Sequence, residues 1–234
     1  MAESRVMLIT GTRKGIGKYL AEYYVKRGFR VIGCSRSPVE YELENYRHFC
    51  LDISDESKIV QMFVEIRESY EKLDVVINNA AINPSIIPAI LMPTSSLNSS
   101  FQVNFLGTFL VSREAAKLMM RGQFGRIINF ASMAVRLEVP GESIYTATKA
   151  AVISFSRVFA KEIHRLGITC NVVAPAAIET DLSAAVDADA LAEVLKRNAV
   201  QSFGEMADVS NTIDWLIKPE SQAITGQVIY LGGV

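Results

Sequence analysis

Short apolar runs rich in β-branched residues alternate along this chain with longer segments of helical period, and that alternation restricts the fold more than any other feature. Seven runs read as strands, at residues 6–9, 30–34, 48–51, 75–77, 127–130, 168–173 and 228–231. Nearly continuous apolar runs suit strands covered on both faces, as in a parallel sheet. Between them Ile59, Met62, Phe63, Ile66 and Tyr70 fall at helical spacing, and Leu97, Phe101, Phe105 and Phe109 recur at fours. Each set lays one apolar stripe on the sheet as a crossover helix. The expected fold is α/β, a doubly wound parallel sheet of seven strands with helices on both faces, in a single domain over residues 1–234.

No repeat, low-complexity tract or Pro/Gly-rich linker divides the chain. The densest loop chemistry, residues 83–94, ends in a helix N-cap signal at Thr94. Residues 180–198 are alanine-rich and sit where an open α/β sheet would carry a cover over its ligand crevice. A chain of 234 residues buries a full core without metals or disulfides. Its 24 basic and 25 acidic residues are interspersed, so no electrostatic footprint of nucleic acid or of an anionic membrane is present. No apolar run approaches the roughly 18–20 residues of a transmembrane helix, and the first apolar stretch is too short for a signal peptide. A cytoplasmic protein is expected, with Cys34, Cys50 and Cys170 as buried free thiols and no metal site.

Chemistry concentrates in two places. The first strand runs into Thr10-Gly11-Thr12-Arg13-Lys14-Gly15-Ile16-Gly17, followed at once by a helical pattern. Glycines there let bare backbone and a helix N-terminus approach a pyrophosphate, although a tight strand-to-helix turn alone would use them too. Downstream, Tyr145 and Lys149 are four apart on a helix, so their side chains share a face. An ammonium beside a phenol favours phenolate, and a tyrosine with an ordinary pKa near 10 needs that help to exchange protons at neutral pH. Ser132 ends the fifth strand, the end at which open α/β sheets bind ligands.

Taken in order, these motifs resemble those of the short-chain dehydrogenase/reductase family over essentially the whole chain, most closely its 3-oxoacyl-acyl carrier protein reductase branch. The glycine loop at 10–17, Leu51-Asp52-Ile53-Ser54-Asp55, Asn78-Asn79-Ala80-Ala81, Asn104 in Val-Asn-Phe-Leu-Gly-Thr, Ser132, the Tyr145/Lys149 pair and Ala174 to Thr180 carry the likeness. It implies a Rossmann-type sheet, a homotetramer or homodimer, and a catalytic tetrad of Asn104, Ser132, Tyr145 and Lys149. In that scheme Tyr145 gives a proton to a carbonyl oxygen, Ser132 hydrogen-bonds the same oxygen, Lys149 lowers the tyrosine pKa and Asn104 anchors a water leading to Lys149.

The same resemblance places a dinucleotide along Gly11, Gly15, Ile16 and Gly17, with Asp52 and Ile53 at its adenine. Asn79, Ala80 and Ala81 lie beside it, and Tyr145, Lys149, Pro175, Ala176, Ile178 and Thr180 surround its nicotinamide end. Relatives that use NAD(H) place a carboxylate after the second strand. This chain has Cys34-Ser35-Arg36-Ser37 there, with Arg13 and Lys14 nearby, which suits the 2'-phosphate of NADP(H) rather than NAD(H).

Four departures from the family pattern bear on the substrate. Ala81 and Ala176 stand where the family usually has glycine, each adding a methyl group near the nicotinamide. Gln123 and Leu166 occupy the positions at which relatives dock an acidic acyl carrier protein with arginines, leaving Arg121, Arg126 and Arg165 as neighbours that could substitute. The expected activity is interconversion of a ketone and a secondary alcohol. A 3-oxoacyl thioester, a small ketone and a sugar-linked ketone all remain open as substrates, beside a non-catalytic nucleotide sensor on the same fold. His48 and His164 are expected at the surface or a strand edge without a role.

Overall fold

The computed structural model describes residues 4–83, 86–178, 196 and 199–233. Every position of β1 (Val6–Thr10) is buried, and its side chains alternate between two cores. Val6 and Leu8 join one apolar cluster with Ile59, Met62, Ile66 and Val111; Met7 and Ile9 join another with Leu20, Tyr24, Val209 and Ile213. A strand with no polar face demands cover on both sides. Helices α2 (Glu56–Tyr70), α4 (Thr108–Met119) and α6 (Ser143–Ile163) supply it on one, α1 (Gly15–Lys26) and α7 (Met206–Leu216) on the other. Two short helices, α3 (Thr94–Ser100) and α5 (Ala134–Leu137), complete the set described.

The remaining strands are β2 (Arg30–Ser35), β3 (Tyr46–Cys50), β4 (Val75–Asn78), β5 (Gly125–Phe130), β6 (Ile168–Ala174) and β7 (Val228–Tyr230), paired in parallel in the order β3-β2-β1-β4-β5-β6-β7. All seven expected strands are present. The chain builds outward from β1 to β3, then crosses back to build β4 to β7 on the other side. Between β1 and β4 the connections diverge and leave a crevice at the strand ends, the switch point of a doubly wound sheet.

Several expectations need correction. The fours of Leu97 to Phe109 do not make one regular α-helix: residues Phe101–Gly107 form a π-helical stretch between α3 and α4. Helix α3 is preceded at its N-cap by Pro93, with no side-chain cap, so Thr94 is inside the helix rather than capping it. Cys34 and Cys170 are buried, and desolvation pushes both thiols up to about 12, but Cys50 is exposed at the end of the edge strand β3. The expected cover at 180–198, with Thr180, lies outside the described residues apart from residue 196.

A buried polar cluster inside the sheet was not foreseen. Asn78 and Asn129 are register partners on β4 and β5, and Asn78 Nδ2 donates to Asn129 Oδ1 at 2.8 Å and to Ser112 Oγ at 3.0 Å. Asn129 Nδ2 in turn donates to Ser156 Oγ at 2.8 Å, so two amides tie the sheet to α4 and α6. Removing one member leaves desolvated partners behind, at about 1–3 kcal/mol for each group stranded. Asn129→Ala is therefore expected to cost about 3 kcal/mol and to lower Tm by roughly 6–12 °C at this chain length. A calorimetric loss under about 2 °C would mean that the cluster does not hold the sheet to those helices.

Candidate active site

Residues following β1, β2, β3, β4, β5 and β6 line a single cleft of about 680 Å³, within the range of small-molecule sites. The turn after β1 is pinned to β2, with Gly11 N donating to the Cys34 carbonyl at 2.8 Å. Gly11 (φ 76°) and Gly15 (φ 58°) hold left-handed backbone there, and α1 begins at Gly15 with no side-chain cap on its first N–H groups. Gly11, Arg13, Lys14, Gly15 and Ile16 all line the cleft. Gly17 does not. It is buried behind the turn, where a Cβ would collide with the Gly11 carbonyl and sit 2.6 Å from Asn79 Nδ2. Its part is close packing of α1 against the loops, not contact with a ligand.

At one end of the cleft are Ser35, Arg36, Asp52 and Ile53. Arg13, Lys14 and Arg36 are exposed, and Asp52 Oδ1 accepts from Ser54 N (2.9 Å) and Ser54 Oγ (2.7 Å). Beneath runs a network that the sequence did not announce. Tyr41 Oη donates to the Thr12 carbonyl (2.6 Å), Tyr46 Oη lies 2.8 Å from both Thr12 Oγ1 and His48 Nδ1, and His48 Nε2 is 3.0 Å from Ser35 Oγ. Burial lowers the His48 pKa below the ordinary imidazole value, keeping the ring neutral at physiological pH. A residue assigned no role thus links the glycine loop to the segment bearing Arg36. His164 is exposed.

The loop after β4 is held from both sides. Thr10 Oγ1 accepts from Asn79 N (3.1 Å) and Ala80 N (3.0 Å), and Asn79 Nδ2 donates to the Thr10 carbonyl (2.9 Å). Asn104, in the π-helical stretch and wholly buried, clamps the next residues. Its Oδ1 accepts from Ile82 N at 2.8 Å while Nδ2 donates to the Ile82 carbonyl (2.9 Å) and to Thr148 Oγ1 (3.1 Å). Both amide protons are thereby used, and Asn104 does not line the cleft.

Ser132, Tyr145 and Lys149 do line it, with Asn79, Ala80, Ala81, Pro175, Ala176 and Ile178. Ser132 Oγ accepts from Ala134 N at 3.1 Å and lies within hydrogen-bonding reach of the Tyr145 phenol. Lys149 Nζ donates to the Phe130 carbonyl at 2.9 Å and sits 5.7 Å from the Tyr145 ring centroid. The expected lowering of the tyrosine pKa is not what these groups produce. Burial pushes Tyr145 up to about 12, Ser132 offsets this in part, and the charge of Glu142 adds to it. Lys149 is itself desolvated, down to about 8. The two groups share a helix face as their spacing requires, but low dielectric outweighs proximity. The phenol is a protonated donor at neutral pH.

Sequence reasoning also passed over Glu142, which lines the cleft one turn before Tyr145, and Asn83, which hydrogen-bonds it at 3.4 Å. Their positions beside a motif already singled out were the available signal. The apolar stretch from Ala81 to Pro93 divides: Ile82 and Ile86 line the cleft, whereas Ile90 (92% exposed) and Leu91 face solvent.

The chain is similar to known proteins over nearly its whole length. The family model for short chain dehydrogenases matches residues 5–191. The chain is 31% identical to the 3-oxoacyl-[acyl-carrier-protein] reductase FabG of Escherichia coli (strain K12), over 99% of this chain and 97% of that protein. The chain belongs to the short-chain dehydrogenase family. Among solved structures, ElxO with NADP bound superposes with a TM-score of 0.90 at 29% identity, covering 98% of this chain and 97% of that one. A gluconate 5-dehydrogenase from Burkholderia cenocepacia J2315, in complex with NADP and tartrate, gives 0.91 at 26% identity over 99% and 94%.

As a short-chain dehydrogenase the protein is an oxidoreductase dependent on a nicotinamide dinucleotide, and its own residues fit that group. A helix start without a side-chain cap lines the cleft where a pyrophosphate needs N–H donors, and three cationic side chains rim the end where further phosphate would lie. Among the described residues no cluster of metal-ligand type occurs, and no helix is long and apolar enough to cross a membrane.

Proposed function

We propose that the protein interconverts a ketone and a secondary alcohol with NADP(H), using Tyr145 as the proton donor and acceptor. The observation that carries this is the meeting of Ser132, half-buried, with the buried Tyr145 and Lys149 in the lining of one cleft. A bound dinucleotide would supply the hydride. The chain's residues do the rest: Ser132 and Tyr145 hydrogen-bond the substrate oxygen, and Tyr145 passes its proton to that oxygen as charge develops there. A secondary alkoxide is a far stronger base than a phenolate, so a phenol near 12 still donates downhill. Lys149 stabilises the phenolate left behind. Asn104 positions the loop at Ile82, and its Oδ1, which accepts one bond there, has acceptor capacity left for a water leading to Lys149.

NADP(H) is favoured over NAD(H) by Arg13, Lys14 and Arg36 around the segment after β2, where no carboxylate occurs before Glu40. The NADP-bound relatives agree. A small ketone is favoured over an acyl carrier protein substrate. Arg126, one of the arginines offered as a substitute docking residue, is fully buried and hydrogen-bonds the carbonyls of Gly125, Lys218 and Pro219. That leaves only Arg121 and Arg165 exposed beside Gln123 and Leu166. Assembly as a homotetramer or homodimer belongs to the same reading. Half-buried Phe105, Phe109, Phe155 and Phe159, with ring centroids 5.0–6.1 Å apart, form an aromatic face along the π-helical stretch, α4 and α6.

The test is loss of NADPH absorbance with acetoacetyl-coenzyme A and with simple ketones, run beside NADH. Turnover of any of these with NADPH supports the reading; NADPH binding without turnover on any ketone favours the nucleotide sensor. The pH dependence carries a sign. Lys149 is charged below about 8, so reduction should run level to about pH 7 and fall as pH rises through that value. Lys149→Arg, which stays charged, should remove the fall. A decline unchanged in that variant would belong to another group.

A further inference from the structure

Glu142 is the one charged side chain among the described residues of the cleft wall formed by Asn83, Ile86, Leu137, Val139 and Pro140. It occupies the N-cap position of α6, where a carboxylate ordinarily caps the helix, yet it makes no side-chain cap. Its carboxylate turns to Asn83 Nδ2 at 3.4 Å, a long hydrogen bond, and has no other hydrogen-bond partner among the described residues. A half-buried carboxylate with one long bond keeps acceptor capacity facing the cleft, in a wall that is otherwise largely apolar. It stands three positions before Tyr145 at the start of α6, and both line the cleft. Its charge reaches the phenol and raises the Tyr145 pKa.

Resting on the ketone reading above, we propose that Glu142 and Asn83 form the polar anchor of the substrate, and that the ketone this site takes carries a hydrogen-bond donor, a hydroxyl or an ammonium, close to its carbonyl. The carboxylate accepts from the donor while the carbonyl oxygen meets Ser132 and Tyr145, so the pair sets the substrate's orientation. Ketones with a carboxylate at that place are repelled. The remaining apolar wall accepts the alkyl part of the molecule.

The experiment compares methyl ketones whose chains end in methyl, hydroxyl, ammonium or carboxylate, one, two or three carbons from the carbonyl. For each, kcat/KM is measured with NADPH, and Kd by calorimetry on the NADPH-loaded Tyr145→Phe protein. Wild-type protein should favour the hydroxyl- or ammonium-ended ketone over its methyl-ended counterpart by about 10- to 100-fold at one spacing, and should take the carboxylate-ended one worst. Glu142→Gln should abolish the ammonium preference and the carboxylate penalty while retaining part of the hydroxyl preference. Glu142→Leu should abolish all three. The methyl-ended ketone reports separately any change in the phenol itself. Equal ranking in wild-type protein and both variants, in kcat/KM and in Kd, overturns the anchor. Selective Kd values that depend on Glu142, with no turnover of any ketone by wild-type protein, would uphold the anchor and defeat the reductase reading.

Discussion

Replacing Tyr145 by phenylalanine is expected to reduce turnover about 10²- to 10⁴-fold, the range that a positioned general acid contributes, with NADPH affinity changed little. The size follows from position. The side chain is buried, and the phenol oxygen is its one polar atom, with Ser132 beside it. Phenylalanine keeps the ring and its packing, so the loss falls on proton transfer rather than on folding. Single-turnover rates with a ketone, paired with NADPH binding followed by nucleotide fluorescence, separate the two. A loss below tenfold would remove Tyr145 from the acid role and direct attention to Ser132 or a bound water.

Arg36→Asp should have the second largest effect. The guanidinium is exposed at the cleft end, and a charge-assisted bond to a phosphate is worth about 1.5–3 kcal/mol. Removing it and adding a like charge should raise the NADPH Kd about 100-fold or more. The new carboxylate can accept from a ribose 2'-hydroxyl, so NADH affinity should hold or improve. Titration of both nucleotides against wild-type and variant protein reads the ratio directly. An unchanged ratio would place the phosphate subsite on Arg13 and Lys14 instead.

Much of this was legible in the sequence because it depends on local period and order along the chain. A strand that is apolar on both faces can only be interior to a covered sheet, and β1 is so from Val6 to Ile9. The glycine turn and the four-residue spacing of Tyr145 and Lys149 are local geometry, and both stand as expected. What could not be read depends on who is buried beside whom. Arg126 looks like any arginine at the start of a strand, and its burial depends in part on the carbonyls of Lys218 and Pro219, about ninety positions away. The Asn78–Asn129 pair needs the register of β4 on β5. The direction of the Tyr145 pKa needs the dielectric around it, which a helix projection does not contain.

The π-helical stretch at Phe101–Gly107 amounts to a phase shift. An α-helix turns each residue by about 100°, so widening the loop from four residues to five rotates everything beyond it relative to everything before. Here the offset lets Asn104 reach back to Ile82 while Leu110, Val111, Ala115 and Leu118 still meet the sheet. Deleting one residue between 101 and 107 would restore an ordinary winding and force a choice between those two alignments. A segment with that property does not drift one residue at a time: its length is tied simultaneously to the loop at the cleft and to the core.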